Sequence, residues 1–148
     1  MAVAIALAGA ASLLGGCVTQ PSAPNPNATA MAAQNEHLRL VDERKNEVIK
    51  QLATCESGGY GPSEKPIYGY RGLYLGRLQF DTRTVIAYVQ KRDGVQLNRK
   101  EAAELAHDYD RASDLAKYML FELEEPWHWP VCAKKVGVPS QVAAIKQL

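Results

Sequence analysis

The residues best suited to chemistry in this 148-residue chain lie in one short stretch, Thr54-Cys55-Glu56-Ser57-Gly58-Gly59. The stretch places Glu56 in the last turn of a predicted amphipathic helix, which the glycine pair ends. The negative end of a helix disfavours a carboxylate charge, so we expect the pKa of Glu56 to be raised. A carboxylic acid kept protonated in this way can donate a proton to the leaving oxygen of a glycosidic bond. Glu56 is therefore the candidate general acid, although a glutamate near a helix end is usually solvated.

The segment after this candidate acid has a composition that suits a carbohydrate groove. Between Gly58 and Gly76 lie six of the eleven glycines and four of the seven tyrosines. Sugar rings stack their C–H faces on aromatic rings, and their hydroxyls can hydrogen-bond to the tyrosine oxygen. Tyr68, Tyr70 and Tyr74 are therefore candidate substrate-binding residues. A surface loop pinned by tyrosines would have the same composition.

Hydrophobic periodicity and capping signals predict five helices that would position these residues. They cover approximately residues 38–58, 81–94, 98–106, 110–126 and 140–148. No segment shows sustained two-residue alternation, so at most a small ribbon is expected around residues 68–78. The predicted fold class is mainly α. We expect one compact helical domain with a long Gly/Tyr-rich loop, or a small β-ribbon, beside the helix that carries Glu56.

Charge and histidine spacing argue against two kinds of partner. Lys plus Arg number 17 and Asp plus Glu number 16, so no overall field favours nucleic acid. His37, His107 and His128 are scattered without the spacing of metal ligands. We therefore predict no metal, no other cofactor and no nucleic-acid partner.

A second motif, Tyr74-Leu75-Gly76-Arg77-Leu78-Gln79-Phe80, strengthens the interpretation of Glu56. Together, the two motifs resemble the lysozyme-like superfamily, specifically its lytic transglycosylases and the resuscitation-promoting factors. The resemblance implies an α+β lysozyme-like domain over residues 31–148, with Glu56 in the place of the catalytic acid. It also implies that Gln79 lies near the cleaved bond and that Gly76 belongs to the substrate-binding groove.

The activity implied by the resemblance is cleavage of the β-1,4 bond between MurNAc and GlcNAc in peptidoglycan. Hydrolysis of such a bond needs a second carboxylate within about 5 to 10 Å of the acid. Asp81 is the best candidate, but it is more simply the N-cap of the second helix. One acid without a clear partner favours the lytic reaction, in which the C6 hydroxyl of the muramic acid attacks. Arg77 departs from the family pattern, because it places a bulky cation where a small residue is usual.

The segment Trp129-Pro130-Val131-Cys132 resembles the closing segment of the same family. Cys55 and Cys132 are similar in position to the family's disulfide cysteines, and an even pair in an exported protein also indicates one disulfide. Two buried free thiols or part of a zinc site are the alternatives. Trp129 is a candidate substrate-binding residue, although Trp127 and Trp129 could equally cap the core.

The N-terminal residues resemble the signal peptide of a bacterial lipoprotein. A short apolar run leads into Leu14-Gly15-Gly16-Cys17, which is similar to a lipobox, so Cys17 is the predicted lipidation site at the end of segment 1–17. Prolines predict a flexible linker over residues 18–30. The predicted location is the bacterial cell envelope, with the protein exported and lipid-anchored at the periplasmic face of the inner or outer membrane. The alternative is an ordinary signal peptide, or a mobile tail, with a chance cysteine.

Two other functions are compatible with these features. In the first, a non-catalytic envelope lipoprotein uses the same groove to bind peptidoglycan glycan strands or a partner protein. In the second, the cleavage chemistry serves an envelope machinery for secretion, conjugation or phage entry. The chemistry of the second is the same as that of general wall turnover.

Overall fold

The helix that carries Glu56 is the longest element of the computed structural model, which describes residues 26–148. This helix, α1, spans Pro26–Ser57. It ends as predicted at Gly58, whose φ of +77° and N–H bond to the Thr54 carbonyl are those of a left-handed cap. The start differs from prediction, since residues 26–30 were assigned to the linker. A proline is tolerated in the first turn, where its missing N–H has no intrahelical partner.

Only the C-terminal half of α1 packs against the rest of the protein. Residues 27–40 are exposed, including Leu38, which the periodicity had placed on the buried face. The buried side chains begin at Val48 and Ile49 and continue through Leu52 and Ala53. Residues 1–25, which include Cys17 and most of the predicted linker, lie outside the described residues. None of the helices within residues 26–148 is long and apolar enough to span a membrane.

The predicted ribbon is present and small. Strands β1 (Tyr68–Gly69) and β2 (Tyr74–Leu75) pair antiparallel, with Tyr68 opposite Leu75 and Gly69 opposite Tyr74. A 3₁₀ turn joins the two strands. Leu75 also forms an isolated bridge with Phe80, which draws the following turn back towards the ribbon.

The remaining helices follow the capping signals closely. The elements are α2 (Thr82–Asp93), α3 (Arg99–His107), α4 (Tyr109–Lys117), α5 (Cys132–Lys135) and α6 (Val138–Ile145). Asn98 and Glu101 form the predicted capping box at the start of α3. The predicted fourth helix changes at Tyr118–Glu122 into a π-helical turn, and α5 was not predicted.

The core lies where α1 meets α4 and α6, and it is closed by the turn after the ribbon. Its largest fully buried side chains include Ile49, Leu52, Leu78, Leu115 and Met119. The predicted disulfide between Cys55 and Cys132 is present and joins the end of α1 to the start of α5. The described chain is thus mainly helical with one two-stranded antiparallel sheet, which confirms the coarse fold class.

Candidate active site

Glu56 lies in the last turn of α1 with its carboxyl group half-buried. Burial raises the pKa of Glu56 above the usual value for a glutamate. The direction is the expected one, but its cause is burial and not the helix end. No hydrogen bond or ion pair engages its carboxylate within residues 26–148. A carboxyl group that is partly desolvated and unpaired holds its proton to a higher pH, which is what a general acid requires.

The carboxyl group opens into a cleft of about 230 Å³. Its walls come from the end of α1, from the ribbon and its following turn, and from residues 128–131, and they include Glu56, Tyr74, Gln79, His128 and Trp129. This volume is below the roughly 300 to 1,000 Å³ of pockets that enclose a small molecule. The cleft therefore suits one sugar ring or one linkage of a longer chain.

Gln79 faces this cleft from a strained turn. Its φ of +52° lies in the left-handed region, and its Nε2 donates a hydrogen bond to the Gly76 carbonyl at 2.7 Å. The side chain also occupies the space above Gly69, where a Cβ atom would lie 1.7 Å from the Gln79 Oε1. The turn and the missing side chain at Gly69 together position the predicted substrate-binding amide.

Gly76 shapes the turn that forms part of the cleft wall. It is buried and does not line the cleft. Its φ is +72°, and a Cβ atom there would lie 1.7 Å from the Ala106 carbonyl oxygen. The glycine is needed because the turn packs directly against the C-terminal end of α3, so Gly76 shapes the cleft without touching its contents.

The three predicted tyrosine platforms are all exposed, but only one lines the cleft. Tyr74 lines the cleft and is 40% exposed. Tyr68 and Tyr70 are 63% and 74% exposed and lie outside it, on β1 and the following turn. Tyr68 also makes an edge contact with the His107 ring at 5.0 Å between centroids. These two rings can reach only a ligand that extends beyond the cleft along the ribbon.

The two tryptophans lie in different environments, one buried and one exposed. Trp129 is 3% exposed, and its Nε1 donates to the Leu78 carbonyl at 2.8 Å while its ring packs edge-on against Phe80. Trp129 therefore forms a buried wall of the cleft, which agrees with the alternative that it caps the core, and its role in substrate binding stays a prediction. Trp127 is 61% exposed and lies outside the cleft.

Arg77 does not project into the cleft. Its Nε donates to the Gly61 carbonyl at 3.2 Å, and its guanidinium packs against Gly59, where a Cβ atom would lie 2.8 Å from one guanidinium nitrogen. The departure from the family pattern thus has a local use. Arg77 holds the loop around Gly59 and Gly61, which follows the end of α1.

Asp81, the candidate second carboxylate, is the N-cap of α2. Its side chain accepts from the Arg83 N–H at 2.7 Å and pairs with the Arg83 guanidinium at 3.0 Å. Hydrogen bonding to the Arg83 side chain lowers the pKa of Asp81. Of the two predicted roles of Asp81, the geometry supports the helix cap and not the second catalytic carboxylate.

One titratable cleft residue was not singled out from the sequence. His128 lines the same cleft as Glu56, and its ring contacts Tyr88 of α2, which lies 40 positions earlier. The sequence offers a weak signal in Trp127-His128-Trp129 between two prolines. Nothing local indicates the pairing with α2, because that contact depends on the tertiary fold.

Comparison with protein-family models, with curated proteins and with solved structures gives no significant match. Within residues 26–148, no group of three or more histidine, cysteine, aspartate or glutamate side chains is arranged to hold a metal ion.

Proposed function

We propose that this protein is a peptidoglycan lytic transglycosylase with a lysozyme-like domain, which cleaves the β-1,4 bond between MurNAc and GlcNAc. The observation that carries the proposal is the state of Glu56. Its carboxyl group is half-buried, unpaired within the described residues and at the wall of a cleft, with its pKa raised by burial.

In the proposed reaction, protonated Glu56 donates its proton to the glycosidic oxygen as the bond to the sugar C1 breaks. Partial burial supports this step, because a solvated glutamate would be almost fully ionised near neutral pH. Gln79 lies on the same cleft and can hydrogen-bond the sugar next to the cleaved bond. Tyr74 offers a half-exposed ring at the cleft wall for the adjacent sugar.

One structural observation supports proposing the lytic reaction rather than hydrolysis. Asp81, the leading candidate for a second carboxylate, is held as a helix cap and by Arg83. With Asp81 engaged in this way, the C6 hydroxyl of the muramic acid is the proposed nucleophile, and its attack yields a 1,6-anhydro product. Glu56, once deprotonated, can accept the proton from that hydroxyl.

The proposal also places the protein in the bacterial cell envelope, tethered by a lipid on Cys17. The long α1 helix fits such a tether, since its first turns are exposed and a helix of 32 residues is roughly 48 Å long. A domain carried on this helix would stand away from the membrane surface and reach glycan strands.

A second candidate function is supported by one specific observation. Tyr68 and Tyr70 are highly exposed but lie outside the cleft. Exposed aromatic rings on a ribbon can hold a glycan strand by stacking without cleaving it. A non-catalytic peptidoglycan-binding lipoprotein would therefore use the same surface.

Digestion of purified peptidoglycan by the full oxidised chain, with mass spectrometry of the released fragments, separates these functions. Anhydro-muropeptides are the expected products. Fragments with reducing ends would replace the lytic reaction with hydrolysis. Binding to sacculi with no release, by a protein shown to be folded, would favour the binding module and contradict the proposed activity.

A further inference from the structure

Among residues 26–148, His128 is the only histidine on the wall of the Glu56 cleft, and a series of hydrogen bonds links it to Tyr88 of α2. The Nε2 atom of His128 lies 2.6 Å from the Tyr88 hydroxyl oxygen. The same hydroxyl hydrogen-bonds to the Glu125 carboxylate, and Lys91 lies 3.6 Å from the other oxygen of that carboxylate. Four side chains from two segments distant in the sequence thus converge beside the cleft.

The hydrogen bonds made by the Tyr88 hydroxyl determine which ring nitrogen of His128 carries the proton. Tyr88 has one hydroxyl proton, and the charged Glu125 carboxylate is a stronger acceptor for it than a neutral imidazole. The Tyr88 oxygen is then left to accept, so Nε2 of His128 must be the donor. In neutral His128 this leaves Nδ1 with a free lone pair, and Nδ1 has no hydrogen-bond partner within residues 26–148.

We propose that His128 is a second proton-transfer residue of the cleft, with its Nδ1 accepting the proton of the hydroxyl that attacks the sugar C1. Tyr88 and Glu125 are positioning residues, which act by holding the Nε2–H tautomer. This inference rests on the proposed glycosidic cleavage and changes one step of it, because the base becomes His128 instead of deprotonated Glu56.

The protons and electrons balance over the step. The bond between C1 and the glycosidic oxygen breaks, its electron pair stays on that oxygen, and the oxygen takes the proton of Glu56. The attacking hydroxyl forms a new bond to C1 and gives its proton to Nδ1 of His128. The step leaves an ionised Glu56 and a protonated His128, and exchange with water restores both before the next turnover.

The surroundings favour the starting protonation states of both residues. Burial lowers the pKa of His128, an effect opposed by the charge and hydrogen bonding of Glu125, while burial raises the pKa of Glu56. The titratable and charged groups around His128 are Tyr88, Lys91 and Glu125, together with Glu56 and Tyr74 on the wall of the same cleft. The two shifts increase the fraction of protein in which Glu56 is protonated and His128 is neutral.

The first test measures the tautomer, which does not depend on enzyme activity. In the full chain labelled with ¹⁵N-histidine, NMR should show neutral His128 as the Nε2–H tautomer. Tyr88→Phe removes the oxygen that accepts from Nε2 and should raise the population of the Nδ1–H tautomer. Tyr109→Phe is the control and should leave the tautomer of His128 unchanged. An Nδ1–H tautomer in the unmodified protein would overturn the inference and leave the proposed function standing.

The second test measures turnover of uncrosslinked glycan strands across a pH range. His128→Gln keeps a hydrogen-bonding side chain but cannot act as a base, so kcat should fall roughly 100-fold or more, the usual size of a general-base contribution. The acidic limb of the pH profile should also disappear. His37→Gln, at an exposed position on α1, should behave as the unmodified protein.

The outcomes separate this inference from the proposed function. Turnover by His128→Gln at the unmodified rate, with an unchanged pH profile, would overturn the role of His128 alone. No turnover by the unmodified, folded protein would overturn both. If thermal melting shows that His128→Gln is unfolded, Tyr88→Phe provides the test of His128 instead. This variant no longer holds His128 in the Nε2–H tautomer, so kcat should fall without a matching change in KM.

Discussion

The Cα atoms of Cys55 and Cys132 lie 5.7 Å apart, and the disulfide between them joins the residue directly before Glu56 to the first residue of α5. The bridge therefore holds two walls of the cleft together, since residues 128–131 immediately precede Cys132. It also closes a loop with a sequence separation of 77 residues.

Loss of this disulfide should destabilise the protein substantially. Closing a loop of this length in the unfolded chain is worth about 4 kcal/mol in the chain-entropy model. We expect the Cys55→Ser, Cys132→Ser double variant to unfold at lower urea concentration, with Cys17→Ser as the matched control. A loss of less than about 1 kcal/mol in the free energy of unfolding would show that the rest of the fold already holds these segments.

Gly76 and Gly72 allow the cost of steric conflict to be separated from the cost of a left-handed backbone. Both have positive φ, but only at Gly76 would a Cβ atom meet backbone, at 1.7 Å from the Ala106 oxygen. Gly72→Ala should cost about 1 kcal/mol, which is the usual backbone strain. Gly76→Ala should cost at least about 2 kcal/mol more, because the turn must move away from α3. Chemical denaturation of both variants checks the difference, and equal losses would contradict the packing described.

Trp129 should matter for stability, whereas Trp127 should not. Replacing Trp129 by Phe removes the indole N–H that donates to the Leu78 carbonyl and leaves a cavity in a buried wall. The expected loss is about 2 to 4 kcal/mol from an unsatisfied acceptor and lost packing. Trp127→Phe, at an exposed site, should change the unfolding free energy by less than about 0.5 kcal/mol. Thermal and urea unfolding report both, and the reverse ranking would contradict the assignment of Trp129 to the wall.

The pH dependence of stability should carry the signature of Glu56. A carboxyl group whose pKa is raised in the folded state binds its proton more tightly there than in the unfolded chain. Its contribution is therefore most favourable below the unfolded pKa of about 4.3 and is lost as the pH rises through the folded value. Glu56→Gln should melt at the same temperature as the unmodified protein, or higher, at pH 7, and this difference should fade towards pH 4. A lower melting temperature at pH 7 would indicate that the ionised carboxylate has a stabilising partner.

The parts of the fold that are encoded locally were predicted well. The C-terminal ends of α1 and α2, the capping box of α3 and the ribbon follow from glycines, caps and periodicity close to the residues concerned. Pro26 was misjudged because a proline is compatible with the first turn of a helix as well as with a linker. Leu38 was misjudged because helical periodicity does not reveal where the neighbouring helices stop.

The candidate site was predicted only in part, because some of its residues depend on contacts between segments that are distant in the sequence. Glu56, Gln79 and Tyr74 are near one another in motifs that the sequence makes visible, and the structure brings all three to one cleft. The role of Gly76 depends on contact with α3, and the pairing of His128 with Tyr88 joins segments 40 residues apart. Neither leaves a local pattern, so only the tertiary structure reveals them.

The most direct test of the central claim compares Glu56→Gln with the unmodified chain and with Glu64→Gln, which alters an exposed glutamate of the neighbouring loop. Each protein is incubated with purified peptidoglycan, and the released muropeptides are measured by mass spectrometry. The proposed mechanism predicts that the unmodified protein and Glu64→Gln release anhydro-muropeptides. A folded Glu56→Gln should release them at a rate at least about 1,000-fold lower. Undiminished release by Glu56→Gln would contradict the assignment of the acid, and no release by any of the three would contradict the proposed activity.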